Sequence, residues 1–396
     1  MADGLKRQLG PGLLTLYGIG TMVGAGIYVL VGAAAGAAGL WAPLAFLVAG
    51  VLALPTALAY AELSARIPEA AGESAYVELG LGRHRLAVVV GLLIVASGMI
   101  SAAAVLRGGV GYLTGFMDVA PEAAIPALGA LLVLVAIWGA LESLALAGVL
   151  TLIELTGLGM VIWAGFEAPQ VADWRAAAPP ELPGMAVATL FAFFAFLGFE
   201  DMVNMAEETR NPARDMPRAI LGALAVTAVL YALVSIAAIR AVPVADLAGS
   251  DRPLALVWQA AQGGEGQFLS AIAVAAAING VLAQIVMAAR VLYGLGRRSP
   301  ALAVFRHTSA RFGTPVLATL TVGGAVIVAA LMLPVAELAG YATQVLLVVF
   351  TVVNAALIGL KRQTGRPPAP FQVPIWVPVL GLVGSLAVLA GSLWPV

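Results

Sequence analysis

Eleven apolar runs divide this sequence almost from end to end. They lie near residues 11–36, 40–65, 86–116, 124–140, 143–166, 184–208, 217–239, 267–295, 315–333, 337–360 and 372–394. A helix needs about 20 apolar residues to cross the hydrocarbon core of a bilayer, and most of these runs have them. The fourth is short, and the third and eighth are long enough to tilt. Of 396 residues, 62% are hydrophobic and 10% charged, where soluble domains carry roughly 25% charged residues. No soluble core could hide that much apolar surface, so lipid is the solvent this chain is built for. The expected fold is all-α and integral to the membrane, with residues 1–396 forming one domain whose connecting segments are too short to fold alone.

Charge then orients the runs. With the N-terminus inside, the inner segments hold fifteen Lys and Arg, including Lys6, Arg7, Arg210, Arg214, Arg218, Lys361 and Arg362. The outer segments hold only Arg175, Arg240 and Arg252, while Arg107 and Arg290 lie within runs. Cytoplasmic loops carry the excess of basic residues, so this partition puts the N-terminus in the cytoplasm and the C-terminus outside. No cleavable signal segment is read at the start. A net charge of -1 gives no reason to expect a nucleic-acid partner. There are no cysteines, which excludes disulfides, thiolate metal sites and a disulfide-linked subunit. The two histidines, His84 and His307, are far apart and lie outside the runs, so no metal site is expected. With neither a nucleophile nor a metal cluster inside the runs, the chain reads as no enzyme.

Two runs look interrupted. Gly18, Gly20, Gly24 and Gly26 crowd the middle of the first. Each glycine costs roughly 1 kcal/mol relative to alanine inside a helix, so unwinding is easiest there. The sixth reads Phe193-Phe-Ala-Phe-Leu-Gly-Phe-Glu-Asp201, with Gly198 just before the carboxylates Glu200 and Asp201. Acidic groups inside a span are costly and mark function. Glycine in membrane helices also serves plain packing. Breaks opening both of two five-helix halves, however, are the mark of an inverted-repeat transporter with its site at the repeat interface. On this division one repeat covers about 11–166, the second about 184–360, and an extra helix about 372–394.

Three segments resemble the amino acid–polyamine–organocation permease superfamily, in particular bacterial relatives of the cationic amino-acid transporters. They are Gly18–Tyr28, Phe193–Ile220 with its string Ala206-Glu-Glu-Thr-Arg-Asn-Pro-Ala-Arg-Asp-Met-Pro-Arg218, and Ala277–Tyr293. Many members carry twelve spans, whereas eleven are read here. The resemblance implies two inverted five-helix repeats with discontinuous helices 1 and 6, and an amino-acid substrate between the two breaks. Carried over by position, the backbone N–H groups of Ala25 and Gly26 would hold the substrate carboxylate. A half-helix opening there attracts anions with its positive dipole end. The α-ammonium would meet carbonyls at Met22, Phe194 and Leu197. Phe194 and Phe199 resemble the family's gate or pocket-wall aromatics, although phenylalanines in such a run also serve packing, and Glu200 is a candidate gate.

Glu154 lies in mid-span, and a carboxyl group buried without a partner tends to bind a proton. Some proton-coupled relatives carry lysine at the corresponding position. That departure leaves a protonatable glutamate, a pair with Arg107 or Arg290, or a cation ligand. Sodium-coupled relatives supply hydroxyls from helix 8, and Ala273–Ile278 offers none, so a proton is the expected coupling partner and sodium the weaker one. Ser97 and Ser101 share one helical face and either touch the substrate or pack. Glu62 is expected at the interface, and Pro55 is expected to kink the second helix. Arg210, Arg214 and Arg218 could pair with Glu207, Glu208 and Asp215 at an inner gate.

The function expected is secondary transport of amino acids across the bacterial inner (plasma) membrane, by proton symport or exchange. No cofactor is expected, and the lipid bilayer is the other partner. A non-transporting amino-acid sensor, or a transporter of an amine such as ethanolamine, would fit the same features. An aromatic and alanine-rich pocket suits small or medium neutral amino acids. Glu200 and Asp201 are the only acids placed to meet a cationic side chain.

Overall fold

Lipid offers the backbone no hydrogen bonds, so a spanning segment must satisfy its own, and helices do so within one segment. The computed structural model describes residues 9–24, 26–69, 72–115, 117–139, 148–174, 177–264, 266–309, 311–363 and 369–392, and the backbone alone at 25 and 144–147. Fourteen α-helices carry these residues. They are α1 (Pro11–Ala38), α2 (Ala42–Arg66), α3 (Gly72–Leu81), α4 (His84–Leu113), α5 (Pro121–Trp138), α6 (Leu144–Glu167) and α7 (Leu182–Ala195). The rest are α8 (Pro212–Ala241), α9 (Val244–Ala248), α10 (Pro253–Gln262), α11 (Gln267–Arg298), α12 (Val316–Met332), α13 (Val335–Arg362) and α14 (Trp376–Ser392). Seven helical stretches among the described residues are long and apolar enough to cross a membrane, and α7, α12 and α14 are shorter apolar helices.

Local chemistry starts and stops these elements. Proline occupies the first turn of α1, α2, α5, α7, α8 and α10, where its missing N–H costs nothing. Gly139 ends α5 in the left-handed conformation. Outward faces are apolar: Leu44, Leu47, Val51 and Leu54 of α2 are all exposed and follow helical spacing along one stripe. Such a stripe is turned to lipid. The interior is built by α4 against α11 and α13, by α2 against α8, and by α1 against α7 and α8. The chain entering α1 is tied to the end of the sixth span, where Leu9 N–H donates to Glu208 O (3.0 Å) and Arg210 N–H to Leu9 O (2.9 Å).

Some expectations change. The helices α3, α9 and α10 lie in segments too short and mixed in character to read as runs, and packing against neighbours stabilises them. Pro55 lies inside α2, which is one helix by its hydrogen bonds, as a proline-kinked helix also is. Glu62, one turn from the end of α2, is fully buried in the protein. Its Oε1 accepts from Arg66 Nη2 (2.6 Å) and Lys361 Nζ (2.8 Å), and its Oε2 accepts from Val373 N–H (2.8 Å). That carboxylate therefore joins α2, α13 and the approach to α14. Among the described residues, no ion pair is found between Arg210, Arg214 or Arg218 and Glu208 or Asp215. Arg107 donates to Ala330 O (2.7 Å) and so caps the C-terminal end of α12.

Candidate functional site

The first span breaks where glycine permits it. Inside α1, Gly24 leaves helical geometry with φ 5° and ψ -168°, which divides the helix into two halves and frees backbone groups at the division. The sixth span breaks too. α7 ends at Ala195, residues 196–200 form turns, and a 3₁₀ segment Asp201–Glu208 follows. Gly198 has φ 124°, a conformation open to glycine at little cost.

The two breaks touch. A β-carbon on Gly198 would lie 2.6 Å from Thr21 O and 2.9 Å from Met22 N, so only glycine allows this approach. Thr21 Oγ1 lies 3.0 Å from Gly18 O and 3.0 Å from Gly198 O, within reach to donate to either. Tyr231 of α8 completes the junction. Its hydroxyl lies 2.6 Å from Met22 O and 2.8 Å from Ala195 O, so one proton serves the last carbonyls of two half-helices. Nothing in the local sequence around Tyr231 marked it; the contact with Met22 joins residues 209 positions apart.

Between the breaks lies a cavity of about 70 Å³. On the same measure one water needs about 10–15 Å³, so the space holds several waters or a small solute. Met22, Gly26, Phe194, Leu197 and Glu200 lie on its wall. Of Ala25 only the backbone is described, and it is helical. Phe199 is not on the wall. It is fully buried and packs on Tyr60 and Phe350, with ring centroids 5.7 and 5.3 Å away. The backbone reversal at Gly198 turns Phe199 toward α2 and α13 while Phe194 faces the cavity. Phe194 O accepts from Leu197 N–H (3.0 Å), so this carbonyl, like that of Met22, has one lone pair engaged and one to offer.

The acids fall in distinct surroundings. Glu200 Oε2 accepts from Gly198 N–H at 2.9 Å and so closes the turn at the break. Asp201 Oδ2 accepts from Gln284 Nε2 at 2.7 Å, across to α11. Glu154 is buried one shell behind the cavity. Its Oε1 accepts from Asn279 Nδ2 (3.2 Å), and Asn279 is on the wall. Its Oε2 is buried with no hydrogen-bond partner among the described residues. Arg107 is engaged elsewhere, which removes one of the partners considered for Glu154. Tyr28 hydroxyl donates to Glu154 O (3.1 Å), while Tyr112 hydroxyl donates to Tyr28 O (2.6 Å), so the half of α1 that follows Gly24 is held to α6 and α4.

Glu73 of α3 is buried as well. Burial, with the Asp201 carboxylate adding to it, pushes the Glu73 carboxyl up to about 8.

Comparison with known proteins adds an independent line. The sequence pattern of a family described as amino acid permease matches residues 13–396. The chain is 30% identical over 400 residues to the branched-chain amino acid permease BcaP of Bacillus subtilis, covering 95% of this chain and 85% of that protein. It is 30% identical over 404 residues to the methylthioribose transporter of the same bacterium, covering 96% and 87%. It is 29% identical over 394 residues to human cationic amino acid transporter 4, covering 93% of this chain and 62% of the human protein.

Proposed function

The chain belongs to the amino acid permease family, a family of membrane transport proteins rather than enzymes, and from that premise we propose that it is a secondary transporter moving amino acids across the plasma membrane by alternating access. The observation that carries the reading is the apposition of two helix breaks, at Gly24 and at residues 196–200, over one cavity. A zwitterion fits such a place. Its carboxylate meets the N–H groups at Ala25 and Gly26, where the outer half of α1 begins with its positive dipole end. Its ammonium meets the carbonyls of Met22, Phe194 and Leu197, which end half-helices and carry partial negative charge. Recognition of the α-groups by main chain leaves side-chain preference to the rest of the wall.

The spans number eleven in this reading: α1, α2, α4, α5 and α6; then α7 with its 3₁₀ continuation, α8, α11, α12 and α13; then α14. The first five and the next five form inverted repeats. The packing of α2 on α8 and of α4 on α11 supports this, because each pairs the counterparts of the two halves. The N-terminus is cytoplasmic and the C-terminus outside. Glu200, at the turn of the broken sixth span, is the gate. Glu154 is the proton site, supported by its burial and by the oxygen left without a partner. It reaches the cavity through Asn279.

Uptake of labelled amino acids by proteoliposomes tests the proposal. Saturable accumulation that an inward proton gradient stimulates is expected. Binding without flux would make the chain a sensor and overturn the transport reading. Glu154→Gln is expected to flatten the pH dependence of uptake while substrate still binds. An unaltered pH profile in that variant would remove Glu154 from the coupling step.

A further inference from the structure

We propose that Asp201, Gln284 and Ser97 form a subsite for a positively charged side-chain end, so that the cavity selects cationic over neutral amino acids. This rests on the amino-acid reading above and adds the substrate class to it. It departs from the neutral pocket expected of so aromatic and alanine-rich a sequence.

The charge of the wall points this way. Two carboxylates, Glu200 and Asp201, lie on it, and among the described residues it carries no lysine, arginine or histidine. The two acids are not equivalent. Glu200 is engaged by the backbone of its own turn through Gly198 N–H. Asp201, 5% exposed, reaches instead across the cavity to α11.

The arrangement around Asp201 supplies acceptors. Gln284 gives its amide N–H to Asp201, which leaves its Oε1 as an acceptor. A β-carbon on Gly98 would lie 3.1 Å from that Oε1, so the oxygen rests against α4 at Gly98, the residue after Ser97 in sequence. Ser97 is also on the wall, is 2% exposed, and its hydroxyl has no hydrogen-bond partner among the described residues. A carboxylate, an amide oxygen and an unpartnered hydroxyl thus belong to residues that line one cavity, from the sixth span, α11 and α4.

Buried polar groups are normally hydrogen-bonded; of the buried side-chain atoms without a partner among the described residues, that of Ser97 belongs to a residue on the cavity wall, where a ligand or a water can meet it. An ammonium group offers three donors and no acceptor, and a guanidinium offers five donors. Either supplies the donors that these acceptors lack. A neutral aliphatic side chain would desolvate the same acceptors and return nothing. The α-groups of the substrate remain at the breaks, so the two ends of one molecule are held by different chemistry.

Lysine and norleucine make a matched pair, since they differ only by the terminal ammonium. Calorimetric titration of the full chain in lipid nanodiscs, with each in turn at one pH, tests the subsite. Lysine is expected to bind at least tenfold more tightly than norleucine, and Asp201→Asn to cut that ratio at least tenfold. If Asp201→Asn does not fold, the ratio in the unmutated protein still decides. Norleucine binding as tightly as lysine would overturn the subsite and leave the amino-acid reading in place. A folded Asp201→Asn protein with an unchanged ratio would also overturn it. Failure of all twenty amino acids to bind or move would remove both.

Discussion

Replacing Tyr231 with phenylalanine deletes one oxygen atom at the point where the two interrupted helices meet. The ring stays, and with it the edge contacts to Phe46 and Phe196, whose centroids lie 5.9 and 5.1 Å away. Packing is therefore nearly preserved, and the variant isolates the hydroxyl. That hydroxyl is 2.6 Å from Met22 O and 2.8 Å from Ala195 O. A neutral hydrogen bond contributes only about 0.5–1.5 kcal/mol net, but a buried acceptor left without its donor costs about 1–3 kcal/mol. Both carbonyls end half-helices that flank the cavity, so the cost falls on the arrangement proposed to bind substrate. Since about 1.4 kcal/mol is a factor of ten, the expected loss of amino-acid affinity is roughly 5- to 100-fold. Titration calorimetry in nanodiscs measures that loss, and a thermal melt of the same sample checks the fold. Tyr231 is not on the cavity wall, so a purely structural role predicts a lower melting temperature with unchanged affinity. That outcome would refute the claim that its hydroxyl sets the geometry of the breaks.

Three further perturbations test other parts of the molecule. At Gly26 a β-carbon would sit 3.6 Å from Ala195 Cα and from Phe194 Cε1, an ordinary contact. Gly26→Ala is thus expected to bind substrate within a few-fold of the unmutated protein, whereas the branched Gly26→Val fills the cradle and abolishes binding; full affinity in the valine variant would remove the backbone site. Glu62→Gln takes the charge from a carboxylate facing Arg66 and Lys361, whose side chains are 15% and 11% exposed. Breaking a buried pair costs about 3–5 kcal/mol, and their partial exposure puts the expected loss at the lower end, about 3 kcal/mol in a denaturant melt. Glu73, pushed up to about 8 by burial, holds its proton in the folded protein where the unfolded chain has lost it. Its contribution to stability is then fully present below about pH 4.5 and declines as pH rises to about 8. Thermal melts across that range are expected to show the decline, and Glu73→Gln to lessen it; an identical slope in the variant would assign the dependence to other groups.

Much of this architecture is legible in the sequence, because lipid punishes exposed backbone and so long apolar runs announce themselves. The first run, read as 11–36, is α1 at Pro11–Ala38, and the tenth, read as 337–360, is α13 at Val335–Arg362. The breaks are legible as well, through crowded glycines in one span and a glycine beside two acids in the other. Legibility stops inside the breaks. Of four glycines in the first, only Gly24 leaves the helix; Gly18 and Gly20 lie close against Met202 and Thr151 and serve packing. In the sixth span, counting 3.6 residues per turn assigns faces only while the helix lasts. From Phe196 to Glu200 there is no helix to count along. Which phenylalanine meets the cavity is decided by the φ of Gly198, and Phe194 and Phe199 part company there. Tyr231 with Met22, Gln284 with Asp201 and Lys361 with Glu62 join positions 209, 83 and 299 apart, and no local pattern encodes such pairs. The unwinding that bares peptide groups at the cavity also erases the periodicity from which a sequence is read. A site made this way displays its chemical inventory in the sequence, two acids, glycines and aromatics, and keeps its directions for the folded chain.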